Sequence, residues 1–176
     1  MAKHVYTLGL SEIKMGDIAQ DGGMGQTLAS LGYTYQDTAQ MITEDAAVTD
    51  FYAEEVDDPV VSIGRAGKIQ FKWSLMNPSP DDLVTLIGGS AAKSSGNTGN
   101  DNDVWNAPDS YAVIEKSIEV SPKQGLKFSV PRAKIEAKIN GNLSKSAMLL
   151  VEITATVMAP TKSGEKKLVA QIVAAS

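Results

Sequence analysis

Eight consecutive residues constrain what this chain can fold into more than any other stretch. Across residues 68–75 apolar and polar side chains alternate without a break, and a period of two is the pleat of a β-strand, in which successive side chains point to opposite faces. The alternation predicts Ile69, Phe71, Trp73 and Leu75 on a buried face, with Lys68, Gln70, Lys72 and Ser74 turned to solvent or to a neighbouring subunit. Similar patterns recur at 114–120, 126–130, 133–139, 149–157 and 168–173, separated by Pro, Gly and Asn. The second half of the chain is therefore expected to be a β-meander. Around 148–158 both alternating sets are apolar, with Leu149, Val151, Ile153 and Val157 interleaved by Met148, Leu150 and Met158. That predicts a strand buried on both sides, in the core or in an interface.

One helix is expected, over about 80–87. Ser79 can cap the first amides, Pro80 suits the first helical position, Asp81 and Asp82 complement the helix dipole, and Gly88-Gly89 permits a left-handed exit. Leu83, Leu86 and Ile87 form one apolar stripe for docking on a sheet. The long loop that follows, at about 88–110, is rich in Gly, Ser, Asn and Asp, with Val104 and Trp105 as its main large apolar residues. Loops of that length are functional or disordered more often than they are simple connections, and Trp105 is the expected anchor.

The first third reads less cleanly. Residues 27–34 and 60–63 are candidate strands, and Asp21-Gly22-Gly23-Met24-Gly25 reads as a turn, since it lacks the Lys-Ser/Thr ending of a phosphate loop. Between them, 41–58 is acidic, with Glu44, Asp45, Asp50, Glu54, Glu55, Asp57 and Asp58 scattered among Phe51, Tyr52 and Val56. Neither helix nor strand is favoured there, and the third alternative is an arm that orders only on assembly.

Composition narrows the chemistry. A chain of 176 residues with 43% hydrophobic and 21% charged content suits one folded domain. It has no cysteine, hence no disulfide, thiolate nucleophile or sulfur-bound zinc. No apolar run of signal-peptide length opens it, and none approaches a membrane span, so neither export nor membrane insertion is expected. The formal net charge of −5 is the wrong sign for holding nucleic acid through its phosphates, although an acidic wall would let DNA pass without sticking. His4, the only histidine, sits next to the terminus and cannot be built into a catalytic arrangement. Glu44 and Glu54 would supply two carboxylates for glycoside hydrolysis, but spacing alone does not support that chemistry. Asn100-Asp101-Asn102-Asp103 offers oxygen ligands without the glycine and terminal Glu of a calcium loop. No catalytic, cofactor or metal residues are assigned, and no enzyme is expected.

The order of features resembles phage major tail tube proteins, which are related to the inner tubes of contractile injection systems. The likeness is carried by Ala66-Gly67-Lys68-Ile69-Gln70-Phe71-Lys72-Trp73, by Asn77-Pro78-Ser79-Pro80-Asp81-Asp82-Leu83 with Leu86-Ile87-Gly88-Gly89, by Phe128-Ser129-Val130-Pro131-Arg132-Ala133-Lys134-Ile135, and by the segment 150–160. The resemblance implies a mainly β fold: a β-sandwich or barrel of antiparallel strands with one short flanking helix. It implies six subunits per ring, rings stacked into a hollow virion tail tube through which DNA passes, and assembly in the bacterial host cytoplasm. Its implied partners are further copies of the chain and tape-measure, baseplate and tail-terminator proteins. Lys68, Gln70 and Lys72 on the outward strand face, with Val104 and Trp105 in the loop, are the candidate assembly contacts. The alternatives are a β-sandwich that binds a carbohydrate or receptor, and a capsid decoration protein. A sugar binder would gather aromatic residues in loops, whereas Phe71 and Trp73 lie in a strand.

Overall fold

In the computed structural model, which describes residues 4–93 and 103–173, the chain is mainly β, with 55% strand and 5% helix. The strands are β1 (Leu8–Gly16), β2 (Ala29–Ser30), β3 (Gln40–Thr43), β4 (Ala47–Ala53), β5 (Val56–Arg65) and β6 (Ile69–Leu75). After the helix α1 (Pro80–Ile87) come β7 (Ser90–Ala92), β8 (Val104–Asn106), β9 (Ile114–Asn140), β10 (Leu150–Val157) and β11 (Val169–Val173). A seven-stranded antiparallel sheet runs β2-β1-β9-β10-β6-β3, with β11 paired to β9. Two further pairs, β4-β5 and β7-β8, stand as separate two-stranded sheets.

The alternation in β6 sets the core. Phe71, Trp73 and Leu75 are buried and Ile69 is half-buried, and the ladders place each beside an inward residue of the next strand: Phe71 opposite Ala155, Trp73 opposite Ile153, Leu75 opposite Val151. β10 passes the same rows to β9, where Ile135 and Ala137 continue them. Ile13 and Met15 of β1, Ile118 and Val130 of β9 and Leu86 of α1 complete one hydrophobic cluster, and Phe128 tilts against Phe71 with ring centroids 5.9 Å apart.

The helix has the limits read from the sequence. Ser79 and Asp82 form a reciprocal capping box: the Asp82 amide donates to Ser79 Oγ at 3.1 Å and the Ser79 amide donates to Asp82 Oδ2 at 2.9 Å. Leu86 is buried, with Leu83 and Ile87 half-buried against the same cluster. Gly88 follows with a positive φ of 94°.

Several expectations are corrected. The stretches 114–120, 126–130 and 133–139 are not separate strands of a meander but parts of one 27-residue strand, β9, which pairs in turn with β1, β11 and β10. Its prolines fall where the ladder is interrupted, so the missing N–H costs little. Pro122 faces the register shift between Leu10 and Glu12, and Pro131 lies between the spans that pair with β11 and β10. β10 is buried on one face only: Val151, Ile153 and Ala155 are inside, whereas Met148 and Leu149 just before it are exposed. Ser74 does not face solvent, because residues 33–38 cross over it, the Tyr35 amide donating to Ser74 O and the Ser74 amide to Thr38 Oγ1. The candidate strand at 27–34 shrinks to the two residues of β2, while β1 goes unpredicted since Thr7 and Gly9 break its pattern. Within the predicted 88–110 loop, by contrast, residues 90–92 and 104–106 form the short β7-β8 pair.

Candidate functional site

β3, β4, β5 and β6 are one long hairpin. Gln40 pairs with Lys72 and Thr43 with Ile69 in the body sheet; Ala47 pairs with Arg65 and Phe51 with Val61 further out. The register is the same in both halves, so the outer pair continues the inner one across a short unpaired joint at 44–46 and 66–68. The Glu44 amide donates to Lys68 O at 2.9 Å across this joint, and a Cβ on Gly67 would lie 1.8 Å from Glu44 O, which only glycine avoids. The undecided acidic segment 41–58 is therefore strand, and 47–65 projects as a β arm. From Glu44 to the turn at Glu54 it spans roughly 33 Å if fully extended.

The shared register, which holds as far as the Phe51–Val61 pair and shifts only beyond it toward the turn, keeps the faces in phase. Phe71 is buried in the core and Met41, its partner across the ladder on the same face, is exposed at the sheet edge; two residues further along each strand that face carries Thr43 and Ile69, and beyond the joint it carries Thr49 and Ile63, then Phe51 and Val61. In the body this face is covered by β9, β1 and α1. In the arm nothing covers it: β4 and β5 pack on each other and have no substantial packing against any other element. Phe51 is 51% exposed, Val61 51% and Ile63 58%. The opposite face carries Asp50 and Ser62, whose Oγ donates to Asp50 Oδ1, beside the exposed Val48, Tyr52 and Val60.

A cleft of about 950 Å³ opens beside the base of the arm. Phe71, Trp73, Ile13 and Phe128 contribute its apolar floor, and Tyr33, Tyr35 and Met41 stand exposed at its rim. It is also lined by two strands whose outer edges are open. β1 pairs with β9 along its length but with β2 only at Lys14 and Met15, which leaves residues 8–13 unpaired on that side, and β3 pairs with β6 alone. Unpaired strand edges present rows of N–H and C=O groups ready to bond another strand.

The residues singled out from the sequence fall in two places. Lys68, Gln70 and Lys72 share the outward face of β6: Lys68 is exposed at the arm's joint, and Gln70 is half-buried with its Nε2 donating to Thr156 Oγ1 at 3.2 Å. Lys72 is half-buried at the cleft. Val104 and Trp105 belong to β8, which packs on α1. Trp105 does anchor its loop, and does so on its own chain: the indole Nε1 donates to Gly88 O at 2.9 Å. Val104 stays exposed. Residues 100–102 of the calcium-loop reading lie outside the described residues. His4 is exposed, as are Glu44 and Glu54 on the arm. Among the described residues no three His, Cys, Asp or Glu side chains converge on a metal site. The Gly-rich turn at 21–25 is a turn, held by Asp21 Oδ1, which accepts from the Gly23 amide at 3.0 Å.

Phe51, Val61 and Ile63 are the functional candidates that sequence reading missed. The signal was present, since Val61 and Ile63 lie in the candidate strand at 60–63 and Thr49, Phe51 and Ala53 recur at a period of two, but the carboxylates among 44–58 masked the partner strand that gives 60–63 its hairpin.

Compared with known proteins, the chain matches no family model and no curated sequence. The functional reading rests on the arm and the cleft.

Proposed function

We propose that this chain is a structural subunit that assembles with copies of itself into rings stacked as a hollow tube, as the resemblance to phage tail tube proteins implies. The observation that carries the reading is the arm: a core-facing strand surface that runs past the end of its own core. A two-stranded hairpin is marginal in water by itself, so a hairpin this long with Phe51, Val61 and Ile63 uncovered fits a chain whose folding finishes on a partner. Covering the exposed part of each side chain contributes on the order of 1 kcal/mol. Bringing two molecules together costs roughly 4 kcal/mol or more. One seated arm is therefore a weak bond, and only contacts repeated around and between rings hold, which favours polymers over isolated pairs. In such a tube a net charge of −5 per subunit, repeated over many rings, lets DNA travel without binding.

Electron microscopy of the concentrated protein tests the reading: rings or tubes of uniform bore are expected, and a monomer at every concentration would overturn it. A second reading, a carbohydrate-binding module, draws support from Tyr33 and Tyr35, which lie exposed in a loop at the cleft as a sugar-stacking platform would. Binding to a glycan array by an isolated monomer would favour it.

A further inference from the structure

We infer that the cleft beside β1 and β3 is the seat for the arm of a second copy of this chain, with the Phe51, Val61 and Ile63 face laid over the half-buried Leu10, Leu126 and Phe128 and an edge of the arm pairing with an open edge of the cleft. This rests on the self-assembly reading and names its contact.

Three observations select that occupant. The first is shape and chemistry. The arm has an apolar face without a cover, and in the cleft Leu10, Leu126 and Phe128 are only half-buried above the buried Phe71 and Trp73; the arm has two free strand edges, and the cleft is bordered by the free edges of β1 and β3. An extended segment that adds to an exposed edge gains main-chain hydrogen bonds while its alternate side chains fill the hollow.

The second is charge. Residues 44–58 hold seven of the chain's 21 acidic residues and no basic one, so the other 161 residues, with all 16 lysines and arginines against 14 carboxylates, are net positive. At the cleft, Lys72 and Lys123 take part in no ion pair among the described residues, Glu12 is engaged by Lys14 at 2.8 Å, and Asp37 is the one lining carboxylate outside such a pair. An acidic arm approaching this rim meets two cations without an ion pair against one such carboxylate, Asp37, a balance that favours encounter and orients the arm toward Lys72 and Lys123.

The third is direction. β3 runs from the cleft at Gln40 and Met41 toward Thr43, and the arm continues away from there in the same register. A chain cannot place its arm in its own cleft without reversing at 44–46 and giving up the Glu44–Lys68 hydrogen bond. Donor face and acceptor cleft are different surfaces, so the contact between copies is heterologous and can repeat without closing.

The absence of cysteine makes the test direct. A Val61→Cys/Met41→Cys double variant places one thiol on the arm's apolar face and one at the cleft, both on exposed positions where folding is little affected. Under mild oxidation of the assembled protein, a non-reducing gel should show a ladder of dimers, trimers and higher species. A mixture of the two single variants should stop at dimers, and a Val61→Cys/Leu143→Cys pair, with the second thiol on an exposed residue away from the cleft, should give at least tenfold less ladder. Rings or tubes in the microscope with no cross-linking between positions 61 and 41 would overturn the seat while leaving self-assembly standing. Cross-linking confined to single chains would overturn it as well, in favour of an arm folded on its own body. Absence of any assembled species would overturn both.

Discussion

Ser117 shows how much a single side chain can hold. It is fully buried in β9, its Oγ accepting from the Gly25 amide at 2.8 Å and donating to Pro131 O at 2.6 Å, so one hydroxyl ties the glycine turn to the middle of the long strand. Ser117→Ala leaves a buried N–H and a buried C=O without that partner, and the expected cost is about 2 kcal/mol, read as a lower urea midpoint with an unchanged slope. The turn itself was legible, because glycines and an Asp in sequence order announce it; that its tether lies 92 residues away was not. Asp21 makes the other link of this turn, to Lys162 Nζ at 2.9 Å. The Lys162 ammonium, with help from the Gly23 amide, holds the Asp21 carboxyl below its ordinary value. A carboxyl so lowered adds stability above its ordinary value, and that increment is lost as pH falls through the folded value. Asp21→Asn should therefore be less stable than the parent near pH 6, with the difference shrinking as the solution is acidified below about pH 4, measured as melting temperatures across the range.

Elements differ in how far their causes reach along the chain. α1 is specified within ten residues: cap, Pro, acidic first turn, apolar stripe and Gly exit are all local, and all appear where the pattern puts them. Ser79→Ala removes the side-chain acceptor of the Asp82 amide and should cost about 1 kcal/mol in thermal or urea unfolding, with Ser79→Asp recovering most of it. β9 is the opposite case. Local rules read its Pro and Gly residues as turns, but β1, β10 and β11 pair along it and keep it extended; Pro122 is tolerated at the register shift in the β1 ladder and Pro131 between the spans that pair with β11 and β10. The long hairpin shares both characters. Its inner half follows the alternation of residues 68–75, while its outer half keeps register although seven carboxylates hide the pattern.

For the molecule as a whole, the arm separates folding from association. Phe51→Asp/Ile63→Asp adds charge where the chain itself has no cover, so unfolding of the monomer should change by less than about 0.5 kcal/mol. Assembly, followed by sedimentation, should fall at least tenfold. Loss of monomer stability in proportion to loss of assembly would show that the arm packs on its own body. The period-two and helical patterns determined, by themselves, that this chain is mainly β, that residues 69–75 form a core strand and that one capped helix lies at 80–87, because side-chain direction and capping depend on neighbours a few residues away. Tertiary structure alone decided that three predicted strands are one, that Ser74 is roofed over, and that the core face of the hairpin outruns its core. Those outcomes depend on which distant segments meet and where they stop meeting, and pairing between residues far apart in the chain leaves no periodic trace in either partner.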